Sequence, residues 1–365
     1  MKRKTIDIFS GGGGTSQGAV AAGWDVVAAI DHWDLAIEHH ARHHPRTIHH
    51  REDATRFDFA RYAGMGIACV WGSPACQGHS EAAQPARAYR EGLAVEHDAL
   101  RASAFAVVNA VLAIRPTCFV VENVRQFTEW TYPPQDLATF SNKNEAHADA
   151  RRRERATGIE TRVISRQTDT SKTWVVQRTF AKSLLYQRWL DMLREAGYHV
   201  TEQLLTASRW GVPQRRTRLF IIGHRDAPIC MQDPEVEEPT LEPVLDFGTG
   251  DWTPFAKKKG PARERLEHAH RTFGGGRCWG WHTSYQASWA RPLQEPATTI
   301  TTCNQNFVVE ARRYRLWTKP EVSQVMGFAP DYFAEVPRTA AITMAGNAVV
   351  PAVAAGIFSH LSTTL

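Results

Sequence analysis

The chain carries little that could staple, anchor or repeat it. Its six cysteines, at positions 69, 76, 118, 230, 278 and 303, form no C-x-x-C pair and no His/Cys group at zinc-finger spacing. A structural metal and a disulfide framework are therefore not expected. Cysteines this sparse suit a reducing compartment. No stretch approaches eighteen consecutive apolar residues, and the basic start Met1-Lys2-Arg3-Lys4 runs straight into a strand and a glycine run rather than an apolar signal segment. A soluble, cytoplasmic protein without membrane contact is the expectation. There is also no internal repeat and no low-complexity tract.

What is present is ordinary globular material. With 43% hydrophobic and 22% charged residues, wholesale disorder is not expected, and 365 residues suit a large α/β domain plus a smaller one. The net charge of +5 is compatible with a polyanionic partner and does not establish one.

The chain is organised around GSPACQGHS, Gly72 to Ser80, where Cys76 follows the apolar run 66–71. Such a run, bounded by glycines, reads as a parallel strand buried on both faces. Ligands of open α/β sheets gather at the carboxyl ends of strands, so a thiol just beyond one is a candidate nucleophile. A small buried hydrophobe is the plainer alternative for Cys76.

Upstream, Thr5 to Phe9 reads as a strand, followed by Ser10-Gly11-Gly12-Gly13-Gly14 and a helix from near Thr15. Glycines there let backbone N–H groups approach a ligand closely. The next strand, from Asp25, ends in Asp31, about twenty residues beyond the glycines, where an acid can accept hydrogen bonds from ribose hydroxyls. His32 and Trp33 can stack on an adenine, and Asp53 can accept from its amine. The glycine run departs from a dinucleotide fingerprint and suits a cofactor that has ribose and adenine but no pyrophosphate.

Downstream, a helix over 99–114 leads to a strand from Cys118 that ends in Glu122-Asn123-Val124. A carboxylate closing an apolar strand is costly to desolvate, so it is either paired structurally or kept for a ligand. From about 130 to 180 the periodicity breaks down around Arg151-Arg152-Arg153, leaving either a solvated surface insertion or a nucleic-acid-contacting arm. A helix over 182–196 and strands near 199–205 and 219–223 follow, with Gln214-Arg215-Arg216-Thr217-Arg218 between the strands. Alternation points Arg216 and Arg218 to one side, where two guanidiniums need an anionic or carbonyl partner. Past Asp226 the mixture of Trp, Tyr, His, Arg and Gly fits either a nucleic-acid-facing domain or an irregular β subdomain. A short helix near 319–326 comes next, and Gly346-Asn347-Ala348-Val349 is read as opening a last helix to about Leu361.

Taken in order, DIFSGGGG, the Pro74 to Gln77 loop, ENV, QRRTR, the RP-x-x-x-P-x-T-x-I segment from Arg291 and GNAV make the chain resemble the DNA cytosine carbon-5 methyltransferases. The resemblance implies a doubly wound, mainly parallel Rossmann-like sheet with a smaller target-recognition domain. Residues 1–225 with 333–365 would form the catalytic domain, interrupted by the 130–180 insertion, and 226–332 the recognition domain. It implies S-adenosylmethionine as methyl donor, double-stranded DNA as partner and a monomeric enzyme in a bacterial or phage-infected cell, associated with the nucleoid, of the kind found in restriction-modification, with pairing to a restriction enzyme left open. Cys76 matches the thiol that adds to carbon 6 of a flipped-out cytosine, and Glu122 the acid at ring nitrogen 3. Arg218 matches the guanidinium at the ring oxygen, with Arg216 assisting it or holding phosphate. Phe9, Ser10, Gly11, Gly14, Asp31, His32, Asp53, Ala54, Pro74, Asn347 and Val349 would line the donor pocket. A relative acting on structured RNA such as tRNA, or a catalytically silent DNA-binding relative, would carry much of the same pattern.

Overall fold

Alternating β-branched and apolar residues bracketed by glycines make the strands of the central sheet, and their order sets where a ligand can bind. A computed structural model describes residues 2–75, 103–130, 135–167, 171–181, 183–281, 290–303 and 306–364. The chain divides into two compact units, one of Met1–Pro74, Phe105–Asn123 and Tyr198–Leu365, the other of Ala75–Ala104 and Val124–Gly197.

The main sheet of the first unit has seven strands: β1 (Lys4–Ile8), β2 (Asp25–Asp31), β3 (Ile48–Arg51), β4 (Ile67–Gly72), β5 (Cys118–Asn123), β9 (His199–Thr206) and β11 (Thr217–His224). They lie in the order β3-β2-β1-β4-β5-β11-β9. The pairings from β3 to β5 are parallel, and β11 runs antiparallel to both its neighbours. The direction of winding reverses between β1 and β4, the switch point at which doubly wound sheets bind ligands. Register brings Ile8, Ile30, Gly72 and Val121 level. The residues that follow them, 9–14, 31–33, 73–75 and 122–123, therefore gather at the carboxyl ends of the parallel strands.

Helices α1 (Gly14–Ala21) and α2 (Asp34–His43) follow the first two strands, and α3 (Ala104–Ile114) precedes β5. α8 (Arg338–Asn347) and α9 (Pro351–Thr364) end the chain. This corrects the expectation that Gly346 opens the last helix: it ends one helix, and Pro351 starts the next. Proline suits a first helical turn because its missing N–H is not needed there. Gly346 is a glycine because a side chain would collide with the Thr301 backbone, 2.4 Å from the Cβ position. The stretch 338–364 is apolar and long enough to cross a membrane, yet 72% of its apolar window is buried inside the protein. α9 packs on α1 so closely that a Cβ on Gly18 would lie 2.6 Å from Ala354 Cβ, and the Val349 carbonyl just before α9 leaves no room for one on Gly14.

Residues 253–316 contribute a second sheet, ordered β12-β17-β16-β13-β14, from β12 (Thr253–Pro254), β13 (Cys278–Trp281), β14 (Ala290–Arg291), β16 (Asn306–Glu310) and β17 (Arg313–Leu316). α6 (Gly260–Thr272) lies across it, through Leu266 and Ala269 against Phe255, Cys278, Phe307 and Val309. α7 (Lys319–Val325) is fixed beside β17 by a buried bidentate ion pair between Arg315 and Glu321.

The second unit contains a three-stranded antiparallel sheet, β6-β8-β7, from β6 (Gln135–Phe140), β7 (Thr161–Gln167) and β8 (Lys172–Arg178), with α4 (Lys143–Thr157) between β6 and β7 and α5 (Leu184–Glu195) after β8. The stretch without evident periodicity is thus folded. Its core is small, Ala146, Ala150 and Val176 with partly buried Leu137, Phe140, Val163 and Trp174 around them, so it leaves a weak apolar pattern in the sequence.

Candidate active site

Glu122 closes β5, buried at 6% exposure. Antiparallel pairing sets Phe220 opposite it, which brings Arg218, two residues away on the same face of β11, onto its diagonal. The Arg218 Nε lies 3.3 Å from Glu122 Oε1, but no described group hydrogen-bonds that oxygen. Burial pushes the Glu122 carboxyl above the usual range, and the Arg218 and Arg216 guanidiniums hold it back. A small cavity is lined by Glu122, Arg216, Arg218 and Phe220, so the two arginines do face one side as alternation required.

Their partners differ. Arg216 is buried and donates to the carbonyls of Ile300 (3.3 Å), Gly346 (3.0 Å) and Ala348 (3.1 Å). That corrects the phosphate-holding alternative for Arg216, because a guanidinium enclosed on three backbone carbonyls does not reach a phosphate. Gln214 works alongside it, accepting from Ile300 N at 2.8 Å and donating to Val325 O at 3.0 Å, while β10 (Gln214–Arg215) pairs with β15 (Ala297–Thr298). QRRTR, the 291–300 segment and GNAV are thereby tied into one cluster.

Asn123 was overlooked as a candidate, yet its Nδ2 donates to Pro74 O at 3.2 Å. It fastens the start of the loop after β4 to the strand that bears Glu122. Cys76, two residues further on, lies outside the described residues, and so does its geometry.

At the switch point, Phe9 takes φ 62 although it is not a glycine, with Gly11 at φ 48 and Gly13 at φ 86 behind it. A non-glycine residue there stores about 1–3 kcal/mol and is found most often where a ligand is gripped. Asp31 accepts Gly11 N on one oxygen and Trp33 N on the other, both at 2.9 Å, so the carboxylate that faces the loop is fixed by it. Each oxygen keeps a second lone pair for a hydroxyl donor. His32 is exposed beside it, whereas Trp33 packs partly into the core, which favours His32 as the stacking ring. Ser10 Oγ is buried and has no hydrogen-bond partner among the described residues. Asp53 Oδ1 accepts both Thr55 N (2.9 Å) and Thr55 Oγ1 (2.8 Å). Desolvation pushes its carboxyl up, but the two Thr55 bonds together with Arg56 and His32 outweigh that and hold it below the usual range. Ala54 is buried, Asn347 is exposed, and Val349 lies against Gly14.

These residues fit an adenosyl cofactor on their own terms: an orphaned hydroxyl, open backbone at positive φ, a fixed acid and an exposed ring. Among the described residues no group of histidines, cysteines and acids could hold a metal ion.

Beneath the same loop lies a chain that the sequence reading missed. Asp7, buried in β1, accepts from Ser16 Oγ at 2.7 Å. His40 Nε2 lies 2.9 Å from that hydroxyl and His40 Nδ1 2.8 Å from His49 Nε2. Since Ser16 gives its proton to Asp7, His40 donates through Nε2 and accepts from His49. Tyr332 closes the loop from above, its hydroxyl 2.9 Å from Gly12 O. A lone acid inside an apolar strand was the signal available for Asp7, the same one that marked Glu122.

The sheet is doubly wound in the Rossmann-like manner, with a glycine loop at its switch point and a buried glutamate–arginine pair on β5 and β11, the two strands beyond β4. The C-5 cytosine-specific DNA methylase family model matches residues 3–139 and 178–363, and the chain belongs to that family. The Type II methyltransferase M.HgiDI of Herpetosiphon aurantiacus is 30% identical over 229 residues, covering 62% of this chain and 54% of that protein. M.HindV of Haemophilus influenzae is 25% identical over 223 residues, covering 60% and 52%. The chain thus spans about half the length of the curated relatives it matches. The solved Entamoeba histolytica methyltransferase EhMeth shares the fold, with a TM-score of 0.60 over 100% of this chain and 99% of that one at 12% identity.

Proposed function

We propose that the chain transfers a methyl group from S-adenosylmethionine to carbon 5 of cytosine in duplex DNA. The observation that carries this reading is Glu122: a buried acid with an oxygen that no described group hydrogen-bonds, ion-paired with Arg218, on the strand that holds Pro74 at the start of the loop through Asn123.

Carbon 5 of cytosine is a poor nucleophile until the ring is activated. The Cys76 thiolate adds to carbon 6, forming a C–S bond. As electrons move toward ring nitrogen 3, Glu122 delivers a proton there, which its raised pKa equips it to hold. Arg218 donates to the ring oxygen and offsets charge that develops on it. Arg216 is a positioning residue, holding the 300 and 346–348 backbones around the pair. Bound S-adenosylmethionine supplies an electrophilic methyl at a sulfonium. Asp31 would take its ribose hydroxyls, His32 its adenine face, Asp53 its amine, and the Ser10 and Gly11 loop its amino-acid end, with Phe9, Gly14, Ala54, Pro74, Asn347 and Val349 shaping the walls. Loss of the carbon 5 proton and elimination of the Cys76 sulfur then free the product. The base leaves the helix to reach Cys76, and residues 226–332 read the sequence around it.

The test is incorporation of label from methyl-tritiated donor into unmethylated genomic DNA and, in parallel, total tRNA, with nucleosides separated afterwards. The expected product is 5-methylcytosine in DNA, absent with Cys76→Ala. Label confined to RNA, or DNA label on a ring amine, would overturn the reading.

A further inference from the structure

The family model leaves residues 140–177 unmatched, so α4 and most of its sheet belong to this chain's own addition. Ala146 and Ala150 turn α4 inward against Val176. Its outward face carries Arg151, Arg152 and Arg155, all exposed, around a shallow depression completed by Ala148 and Ala156. The acids nearest them are occupied. Asp149 is buried beneath Arg152 and Arg153, and Glu154 accepts Thr161 N and Oγ1, both at 2.9 Å. Among the described residues, Arg151 and Arg155 have no acidic partner. They stand one turn apart, about 6 Å along the axis.

Helix stabilisation explains part of this, since cations favour a helix carboxyl end. It does not explain Lys143, which opens α4 against the dipole. Lys143 and Lys172 place their ammonium groups 5.3 and 5.1 Å from the same Trp174 ring. Two like charges gathered on one aromatic at one end of the helix, and two unpaired guanidiniums at the other, form a surface that gains from an extended polyanion.

We propose that the outward face of α4 is a sequence-independent contact for the phosphates of duplex DNA, holding the enzyme on its substrate outside the catalytic pocket. This rests on the DNA reading above. Guanidiniums suit phosphate because their paired N–H groups match its oxygens, and small alanines between them leave room for a backbone to lie close.

The experiment compares the full chain with Arg151→Gln/Arg155→Gln, a change that keeps good helix formers, and with Arg151→Lys/Arg155→Lys, which keeps the charge. Each is titrated with a target-free duplex over a salt series, and methylation of a short target duplex is measured at saturation. Losing two phosphate contacts should flatten the plot of log affinity against log salt by about 1.8. The lysine variant should keep the original slope, and saturated turnover on the short duplex should stay unchanged in both. Fewer sites should be methylated per encounter on long DNA carrying many sites. An unaltered salt slope in a glutamine variant with native circular dichroism overturns the proposal, as does a change seen only with RNA. Failure of the parent chain to methylate DNA would instead sink the functional reading, which the binding titration does not test.

Discussion

Asp7 and Glu122 sit on apolar strands of one sheet, both buried, each with one oxygen that no described group hydrogen-bonds. Their surroundings are opposite. Around Asp7 there is a serine hydroxyl and a file of histidines, and desolvation drives its pKa up to about 7. Around Glu122 there are two guanidiniums, which oppose the rise that burial causes. Burial alone therefore does not mark a working acid. A carboxyl sealed away from cations, with the Asp31 carboxylate adding to the effect of burial, stores a proton as part of the packing, whereas one beside cations and a cavity can lend its proton to a base and recover it.

The sharpest way to break this comparison is to neutralise each acid. Glu122→Gln should lower kcat by about a hundredfold or more, the range general acids supply, with donor affinity measured by calorimetry unchanged. Asp7→Asn, which keeps an acceptor for Ser16, should leave kcat within a few-fold. Equal losses in both would erase the distinction.

The two arginines sharpen it further. Arg218→Met should cost about a hundredfold in turnover, as loss of a charge-stabilising donor does, with little change in Tm. Arg216→Met orphans three carbonyls and should destabilise the fold by about 3 kcal/mol in urea unfolding.

Stability against pH separates the histidine file from the acid. Asp7 has a folded pKa above its unfolded value of 3.8, so the folded state holds the extra proton and Asp7 makes the protein less stable as pH rises from about 4 to 7. Asp7→Asn should therefore raise Tm more at pH 8 than at pH 5. His39 and His44 are pushed down to about 4, by burial first and by neighbouring positive groups second. They act in the other direction, and stability is lost as pH falls from 6.5 toward 4. His39 stacks on Phe333, and among the described residues neither of its ring nitrogens is hydrogen-bonded. His39→Phe should add about 1 kcal/mol at neutral pH and flatten that acid limb, the smallest effect of the set.

Much of the sheet was legible because its strands are apolar runs bounded by glycines, and Asp31 and Glu122 stood out as acids at the ends of such runs. Helix α8 was not, since Thr-Ala-Ala-Ile-Thr-Met-Ala has no polar face to show a period, and Gly346 signals close approach to Thr301 rather than a turn. The three-stranded sheet of the second unit escaped because its strands mix polar residues on both faces over a core of a few small side chains. The roles of Arg216 and Asn123 lie in contacts with distant backbone, Gly346 and Pro74, which spacing along the chain does not reveal. The histidines at 39, 40 and 44 lie at helical spacing and are buried, a pattern that was there to be read in the sequence.

The most direct measurement is mass spectrometry of the protein incubated with S-adenosylmethionine and a target duplex in which 5-fluorocytosine replaces the reacting base, so that the final proton loss is blocked. The account predicts a stable adduct mapped to the peptide bearing Cys76, slowed in Glu122→Gln and absent in Cys76→Ala. Methylation of ordinary DNA without any adduct on the fluorinated duplex, or an adduct that survives Cys76→Ala, would contradict it.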